Sequence, residues 1–286
     1  MNSHVLFDAP GPKTRRRILI INIVGALLLA GFTVWIILAL ADKGQLTEAK
    51  WAPFLTGDLW RYYLLPGLWA TLGAAALSMV TSNVFGLLFG MGRLASNPLV
   101  RLVSGVVVEF FRAVPVLVMM IFLYFLYSRS GFISPAMAPF WAVVTGLTLY
   151  NGSVIAELVR SGVLNMPLGQ SEAGLAVGLT QAQTLRSILL PQALVAMMPS
   201  MVSQLVVILK DTALGYLITY SELLRQSRLV GTAYQNLLPA LIVVGVIFIV
   251  INFLLSRFAD WLALRLTTRT AIELSDLDPA DEGRAP

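Results

Sequence analysis

Cysteine is absent from the 286 residues, so neither a disulfide framework nor a thiolate metal site exists. Histidine occurs once, as His4 in the polar N-terminal stretch. That removes a histidine general base, a histidine metal cluster and haem ligation together. Lysine is confined to Lys13, Lys43, Lys50 and Lys210, and none stands in a G-x-x-x-x-G-K-[ST] context, so no P-loop cradles a nucleotide. The zinc-protease pattern H-E-x-x-H is missing too. The chain is therefore expected to bind no cofactor and no metal. Charge itself is scarce, at 12% of residues, where a soluble domain carries about 25%. In its place stand 57% hydrophobic residues and a mean hydropathy of +0.80. That much apolar surface has to face lipid. The net charge of +5 comes with no basic stripe interleaved with aromatics, so nucleic acid is not a partner. In a membrane chain such a bias marks the cytoplasmic side.

Spanning segments need about 20 apolar residues each. Six runs qualify: Ile18–Leu40, Pro66–Met91, Val103–Tyr127, Phe140–Val159, Ala193–Leu209 and Leu237–Leu262. Backbone groups inside lipid must be paired within their own segment, so each run is expected to be a helix and the fold class all-α, polytopic. The fifth run holds Pro191 and Pro199 and is expected to be the least regular. Lys13 and Arg15–Arg17 place the N-terminus in the cytoplasm, and alternation from there puts both termini inside. Twelve Lys and Arg then fall on the cytoplasmic side and six outside. Trp51, Trp60 and Trp69 fit an external aromatic belt. Four regions result: a basic tail over 1–17, the first span with an external segment over 18–65, a transmembrane domain over 66–264, and an acidic disordered tail over 265–286. The first span also resembles a signal peptide ending at Ala39-Leu40-Ala41, but its apolar run is longer than such a core. Retention is expected.

Small residues recur every four positions along the second run, at Ala74, Ser78, Ser82, Gly86 and Gly90. Such a ridge lets another helix approach closely, from the same chain or from a second subunit. Ionisable residues at membrane depth usually face a cavity or a partner. Glu157 and Arg160 are three apart and expected to pair, as are Glu109 and Arg112, with Pro115 bending the third helix. In the fourth run Gly146, Tyr150, Ser153, Glu157 and Arg160 share a polar stripe. In the fifth, Gln204 and Asp211 lie near one face with Lys210 beside it. Two readings of Lys210 and Asp211 stand side by side: they line a substrate path, or they fix the helix end.

The long loop before the fifth run is the most specific feature. Gln170–Val177 supports two helical turns, Gly178 sits where a helix stops in the left-handed conformation, and Thr180 with Gln183 has capping-box spacing. A helix, sharp turn and second helix are expected, with Glu172 exposed beside Ala173 and Gly174 as a knob for another protein. Glu172-Ala173-Gly174, Gly178, Ile188 and Leu190-Pro191 resemble the EAA-xxx-G-(x)9-I-x-LP signature of ABC importer permeases, with Gly174 where alanine is usual. Gly67-Leu68-Trp69-Ala70-Thr71-Leu72, Glu109-Phe110-Phe111-Arg112 with Pro115, and Lys210-Asp211-Thr212-Ala213-Leu214 resemble further elements of the polar amino-acid branch. Asp8–Lys13 and Tyr150–Glu157 look most like its actinobacterial glutamate permeases.

The resemblance implies a five-helix permease core plus one added N-terminal helix, in the plasma membrane. It implies an ATPase dimer docked on a coupling helix at about 170–178, with Glu172, Ala173, Gly174, Gly178 and Leu179 as the contact. It also implies a second, identical or homologous permease, an extracytoplasmic amino-acid-binding protein, and a path that includes Asn151, Ser153, Gln204, Lys210, Asp211 and Thr212. Energy would come from the partner, so this chain would be no enzyme. The substrate would be glutamate or another polar amino acid. An intramembrane protease is disfavoured, since the runs hold no histidine and Asp211 has no second aspartate at its depth. An ion-coupled secondary transporter would show an internal repeat, which is not evident, and would leave the loop without a role.

Overall fold

The computed structural model describes residues 11–275, with side chains described to Ala259 and at Trp261. His4 and the acidic residues Asp276, Asp278, Asp281 and Glu282 lie outside the described residues. All regular structure among those described is helical. Twelve α-helices follow in order: α1 Pro12–Asp42, α2 Glu48–Trp51, α3 Gly57–Leu59, α4 Leu65–Arg93, α5 Pro98–Ala113, α6 Val116–Ser130, α7 Ala138–Leu164, α8 Leu168–Ala176, α9 Gln181–Thr184, α10 Leu190–Asp211, α11 Leu223–Ala233 and α12 Leu237–Ser275. Five stretches are long and apolar enough to cross a membrane, and a sixth only if α5 and α6 count together.

The third expected span is not one helix. Its two halves meet at 100°. Val114 precedes a proline, whose ring excludes the helical region for it, and Val114 is accordingly extended (φ −80°, ψ 126°). Pro115 then becomes the N-cap of α6. The chain is thus broken at Val114–Pro115, where the sequence suggested a bend. α5 packs along the last turn of α4, Ser104 lying against Gly92, while its other face leaves Leu99, Leu102, Val103 and Val106 exposed.

α4 and α7 form the central seam. Ala74, Ser78, Ser82, Gly86 and Gly90 are all buried. A Cβ on Gly90 would come within 2.8 Å of Val159 Cβ, so the absence of a side chain lets α7 touch the backbone of α4. The Thr81 and Thr148 hydroxyls meet at 2.5 Å and Ser82 Oγ donates to Leu147 O at 3.3 Å. The small-residue ridge therefore packs inside the chain; it is not left free for a second subunit.

Leu-Leu-Pro occurs at 64–66 and again at 189–191, and each time a π-helical turn, Trp60–Leu64 or Leu185–Leu189, precedes the proline. Proline has no N–H to donate, and the wider turn takes up the register change ahead of it. Pro199 is accommodated within α10, Ser203 Oγ donating to its carbonyl at 3.0 Å. α10 tightens into a 3-10 turn over Thr212–Ile218 and ends at Thr219, with φ +65°. α11 then lies at the end of the bundle opposite the α7–α10 hairpin. It was not anticipated, because its eleven residues are too short and too polar to register as a span. There Lys50 Nζ donates to Gln235 O and Asn236 Nδ2 to Lys50 O, tying the segment before α4 to the start of α12. None of the residues of α1 is buried. α12 stays helical to Ser275, past the boundary expected at 264.

Candidate functional site

The loop between α7 and α10 folds as a hairpin of two helices. Pro167 N-caps α8, whose fixed φ starts the helix. α8 ends in two interlocking bonds, Gly178 N–H to Leu175 O at 3.0 Å and Leu179 N–H to Gly174 O at 3.1 Å, with Gly178 at φ +87°. This is the Schellman arrangement, and it requires a residue that tolerates positive φ. Thr180 then opens α9 with a complete capping box: Gln183 N–H donates to Thr180 Oγ1, and Thr180 N–H donates to Gln183 Oε1 at 2.8 Å. Glu172 and Ala173 are exposed, as a knob requires. Gly174 is different from its expected place. It is buried, and a Cβ there would lie 2.7 Å from Thr184 Cγ2 and 3.0 Å from Ile188 Cδ1. Gly174 is the seat on which α8 rests against the second half of the hairpin. Leu179 is half-buried.

Beside the hairpin, five charged side chains join three helices. Arg93 at the end of α4 donates to Glu157 on α7 at 2.6 Å and to Glu109 on α5 at 3.0 Å. Arg112 approaches Glu109 at 3.4 Å and Glu157 at 3.5 Å, and Arg160 closes on Glu157 at 3.0 Å. Both expected i, i+3 pairs form. The spacing alone missed Arg93, which is only 12% exposed at its side chain and turns two helix-end pairs into one cluster. With three guanidiniums around two carboxylates in a partly buried place, removal of Glu157 leaves cations facing one another.

The six residues expected on a substrate path do not converge. Gln204 Nε2 donates to Asn151 Oδ1 at 2.5 Å between α10 and α7, leaving the buried Asn151 Nδ2 without a partner. Ser153 is also buried, its hydroxyl unpartnered. Lys210 is exposed and opens instead on a separate cavity of about 440 Å³ among α10, α11 and α12, together with Asn252. Lys210 follows Gln204 by six positions, which at 100° per residue puts them on different faces of α10. Lys210 and Asp211 form no ion pair within 4 Å among the described residues, though the ammonium still acts on the neighbouring carboxylate through its charge. Thr212 is buried and donates to Leu209 O at 2.6 Å. Asn83 bonds within its own helix, to Met79 O at 2.8 Å.

One buried acid was not anticipated. Glu222 is wholly buried at the N-cap of α11 and accepts from Leu224 N–H and Arg225 N–H, each at 2.6 Å. Burial pushes its pKa up to about 7, against the lowering effect of those two amides and of Arg225. Tyr220 beside it is raised to about 12 by burial and by the Glu222 carboxylate, and its hydroxyl donates to Ala70 O at 2.7 Å. Glutamate is not among the favoured N-cap residues, so the sequence carried no usual signal for it.

Residues 82–268 match the family described as binding-protein-dependent transport system inner membrane component. The chain is 46% identical over 221 residues to the glutamate transport system permease protein of Corynebacterium glutamicum, covering 77% of this chain and 81% of that one. It is 32% identical over 208 residues to a probable glutamine ABC transporter permease protein of Bacillus subtilis, covering 72% and 94%. Among solved structures, a crystal structure of an amino acid ABC transporter with histidines superposes with a TM-score of 0.64 at 25% identity, covering 71% of this chain and 93% of that one. An inward-facing methionine ABC transporter shares the fold, with a TM-score of 0.63 at 21% identity over 74% and 99%.

Proposed function

We infer the role of this chain from the family to which it belongs, the binding-protein-dependent inner membrane transport components: it is a multi-pass permease subunit of an amino-acid ABC importer. The finer reading is an importer of glutamate, supported by the corynebacterial relative and by Lys210, a cation with no ion pair among the described residues that faces a cavity among α10, α11 and α12. In low dielectric an ammonium attracts a carboxylate more strongly than in water. Gln204 and Asn151 supply hydrogen-bonding groups between α10 and α7.

The hairpin carries the coupling proposal. Glu172 and Ala173 project from a short helix whose turn is locked by Gly178, at the joint between α7 and α10. A rigid exposed knob between two spanning helices can pass a partner's movement to both. The partner is an ATPase dimer, which hydrolyses the ATP; this chain supplies no cofactor site and catalyses no reaction. A second permease completes the path, and an extracytoplasmic binding protein delivers the amino acid. The hairpin end and both termini are cytoplasmic, in agreement with the basic residues that begin α1.

The test is uptake of labelled glutamate and glutamine by vesicles holding the complete complex, with ATP supplied or withheld while the ion gradient is kept or collapsed. Uptake that survives without ATP, driven by the gradient, would overturn the importer reading. Reporters fused at Pro10 and Ala280 test the termini, and an external signal from either refutes the orientation.

A further inference from the structure

Between the hairpin and the α4–α5 turn lies a cleft of about 680 Å³. Its walls are mostly apolar: Met91, Val100, Leu164, Leu175 and Leu189 contribute from five different elements. Two guanidiniums line it, Arg101 and Arg186, and no carboxylate does. Every other arginine of the hairpin end between α4 and α7 is matched to an acid in the five-residue cluster. Arg101 reaches only a carbonyl, Ala95 O, at 3.3 Å, and Arg186 has no ion pair among the described residues. An apolar cleft carrying two cations and no anion is complementary to an amphiphile with an acidic head.

We propose that this cleft holds an acidic phospholipid of the leaflet on the hairpin side, with its phosphate at Arg101 and Arg186 and its acyl chain along the apolar wall. Depth supports a lipid. Part of the wall comes from the last turns of the spanning helices α4 and α7, where a membrane-crossing helix reaches the headgroups. Continuity supports it as well: Val100 and Arg101 belong to α5, whose neighbouring Leu99, Leu102, Val103 and Val106 are exposed apolar side chains suited to contact with lipid. A soluble partner is served elsewhere. Leu168, Ser171 and Leu175 turn one face of α8 to the cleft, while Glu172 and Ala173 stand outside it. Ser96 Oγ donates to Gln181 Oε1 at 3.2 Å across the two lips, so the occupant would brace the hairpin against the α4–α5 turn. The leaflet is the cytoplasmic one only on the orientation proposed above; the site itself rests on the cleft.

The experiment uses the intact complex in vesicles of phosphatidylcholine alone and of phosphatidylcholine with phosphatidylglycerol in equal parts, followed by native mass spectrometry. The wild type should retain phosphatidylglycerol in preference to phosphatidylcholine. Arg101→Gln with Arg186→Gln should weaken that retention, by roughly fivefold for each guanidinium and roughly thirtyfold for both. The double lysine variant should keep most of it, and ATP-driven uptake by the wild type should rise with phosphatidylglycerol while that of the glutamine variant should not. Retention by the glutamine variant equal to the wild type overturns the proposal. So does loss of the ATPase subunits from that variant in both lipid mixtures, which would make the arginines a protein contact. Displacement of the lipid by millimolar inorganic phosphate would reassign the site to a free anion and overturn it too. Occupancy is read by mass, so it decides the lipid site even where wild-type uptake, the test of the importer reading, fails.

Discussion

Gly174→Ala is the sharpest test of how the hairpin is built. Alanine at this position is the usual residue of the signature that Glu172, Gly178, Ile188 and Pro191 resemble, and alanine favours a helix over glycine by about 1 kcal/mol. Local propensity alone therefore makes the substitution stabilising. Packing says otherwise. The new methyl would sit 2.7 Å from Thr184 Cγ2, 2.9 Å from Thr184 Oγ1 and 3.0 Å from Ile188 Cδ1, all closer than ordinary van der Waals contact. Inserting a methyl into a filled space costs about 1–3 kcal/mol, so the net change is a destabilisation of up to about 2 kcal/mol. That corresponds to a rise of up to roughly thirtyfold in the population of the opened hairpin. Hydrogen exchange at the Leu179 amide reads this directly, because its bond to Gly174 O exists only while the turn is closed. Thr184→Ala in the same chain should restore protection. It removes both of the nearest atoms, and Thr184 Oγ1 is buried without a partner, so no hydrogen bond is lost. Coupled uptake should fall in the single variant and recover in the double. Wild-type exchange in Gly174→Ala, or no recovery in the double variant, would refute the argument that α8 is seated through Gly174.

Other perturbations probe the remaining parts. Gly178→Val should leave the chain in the membrane but uncouple uptake from ATP, because a β-branched residue is strained at φ +87°; normal transport would remove the hairpin from the coupling role. Glu157→Gln should lower the thermal midpoint of the purified subunit, at a cost of about 1–2 kcal/mol after allowance for solvent, since Arg93, Arg112 and Arg160 all lose an acid. Lys210→Met combined with Asp211→Asn should leave glutamate uptake impaired with complex yield intact, since no ion pair within 4 Å joins them among the described residues; full recovery would make Lys210 a helix-end anchor. Glu222 has a folded pKa of about 7 against an ordinary 4.5, so the folded state holds its proton longer. Its contribution to stability is full below pH 4.5 and is lost as pH rises through about 7, and Glu222→Gln should flatten denaturation midpoints across that window.

Whatever depended on local spacing was legible in the sequence. The Thr180–Gln183 capping box, the left-handed Gly178 and the i, i+3 pairs at Glu109–Arg112 and Glu157–Arg160 are each set within four residues, and all form. What failed depended on residues far apart. Gly174 was taken for part of an exposed knob because the atoms that bury it, on Thr184 and Ile188, belong to the returning arm of the hairpin. Arg93 counted only as one of the twelve cytoplasmic basic residues, with no sign that Glu157, 64 positions later, would meet it at 2.6 Å. The grouping of Gln204 with Lys210 failed for another reason. Polar residues on one helix need not face one cavity, and α10 has α7 on one side and α12 on another. The small-residue ridge was equally compatible with a neighbour in the same chain or another; only the fold shows α7 lying in it.

The broken third span gives the five-residue cluster its meaning. A continuous helix through Val103–Tyr127 would have put Glu109 and Arg112 inside the bilayer, where ionised groups cost a few kcal/mol or more. The Val114–Pro115 break turns α5 by 100° from α6 and keeps both residues level with the end of α4. Charge and proline are thus one solution. The proline forces an extended pair of residues, the extended pair redirects α5, and the redirected helix offers Glu109 to Arg93 and Arg112 to Glu157. The same cluster fixes α5 to the two helices, α4 and α7, that carry the central seam, while the hairpin grows from the end of α7. A displacement of the hairpin that moves α7 must therefore carry α5 with it or break an ion pair to Glu157. That makes α5 and the hairpin mechanically linked parts, joined at Glu157 by Arg112 directly and through Arg93 by Glu109.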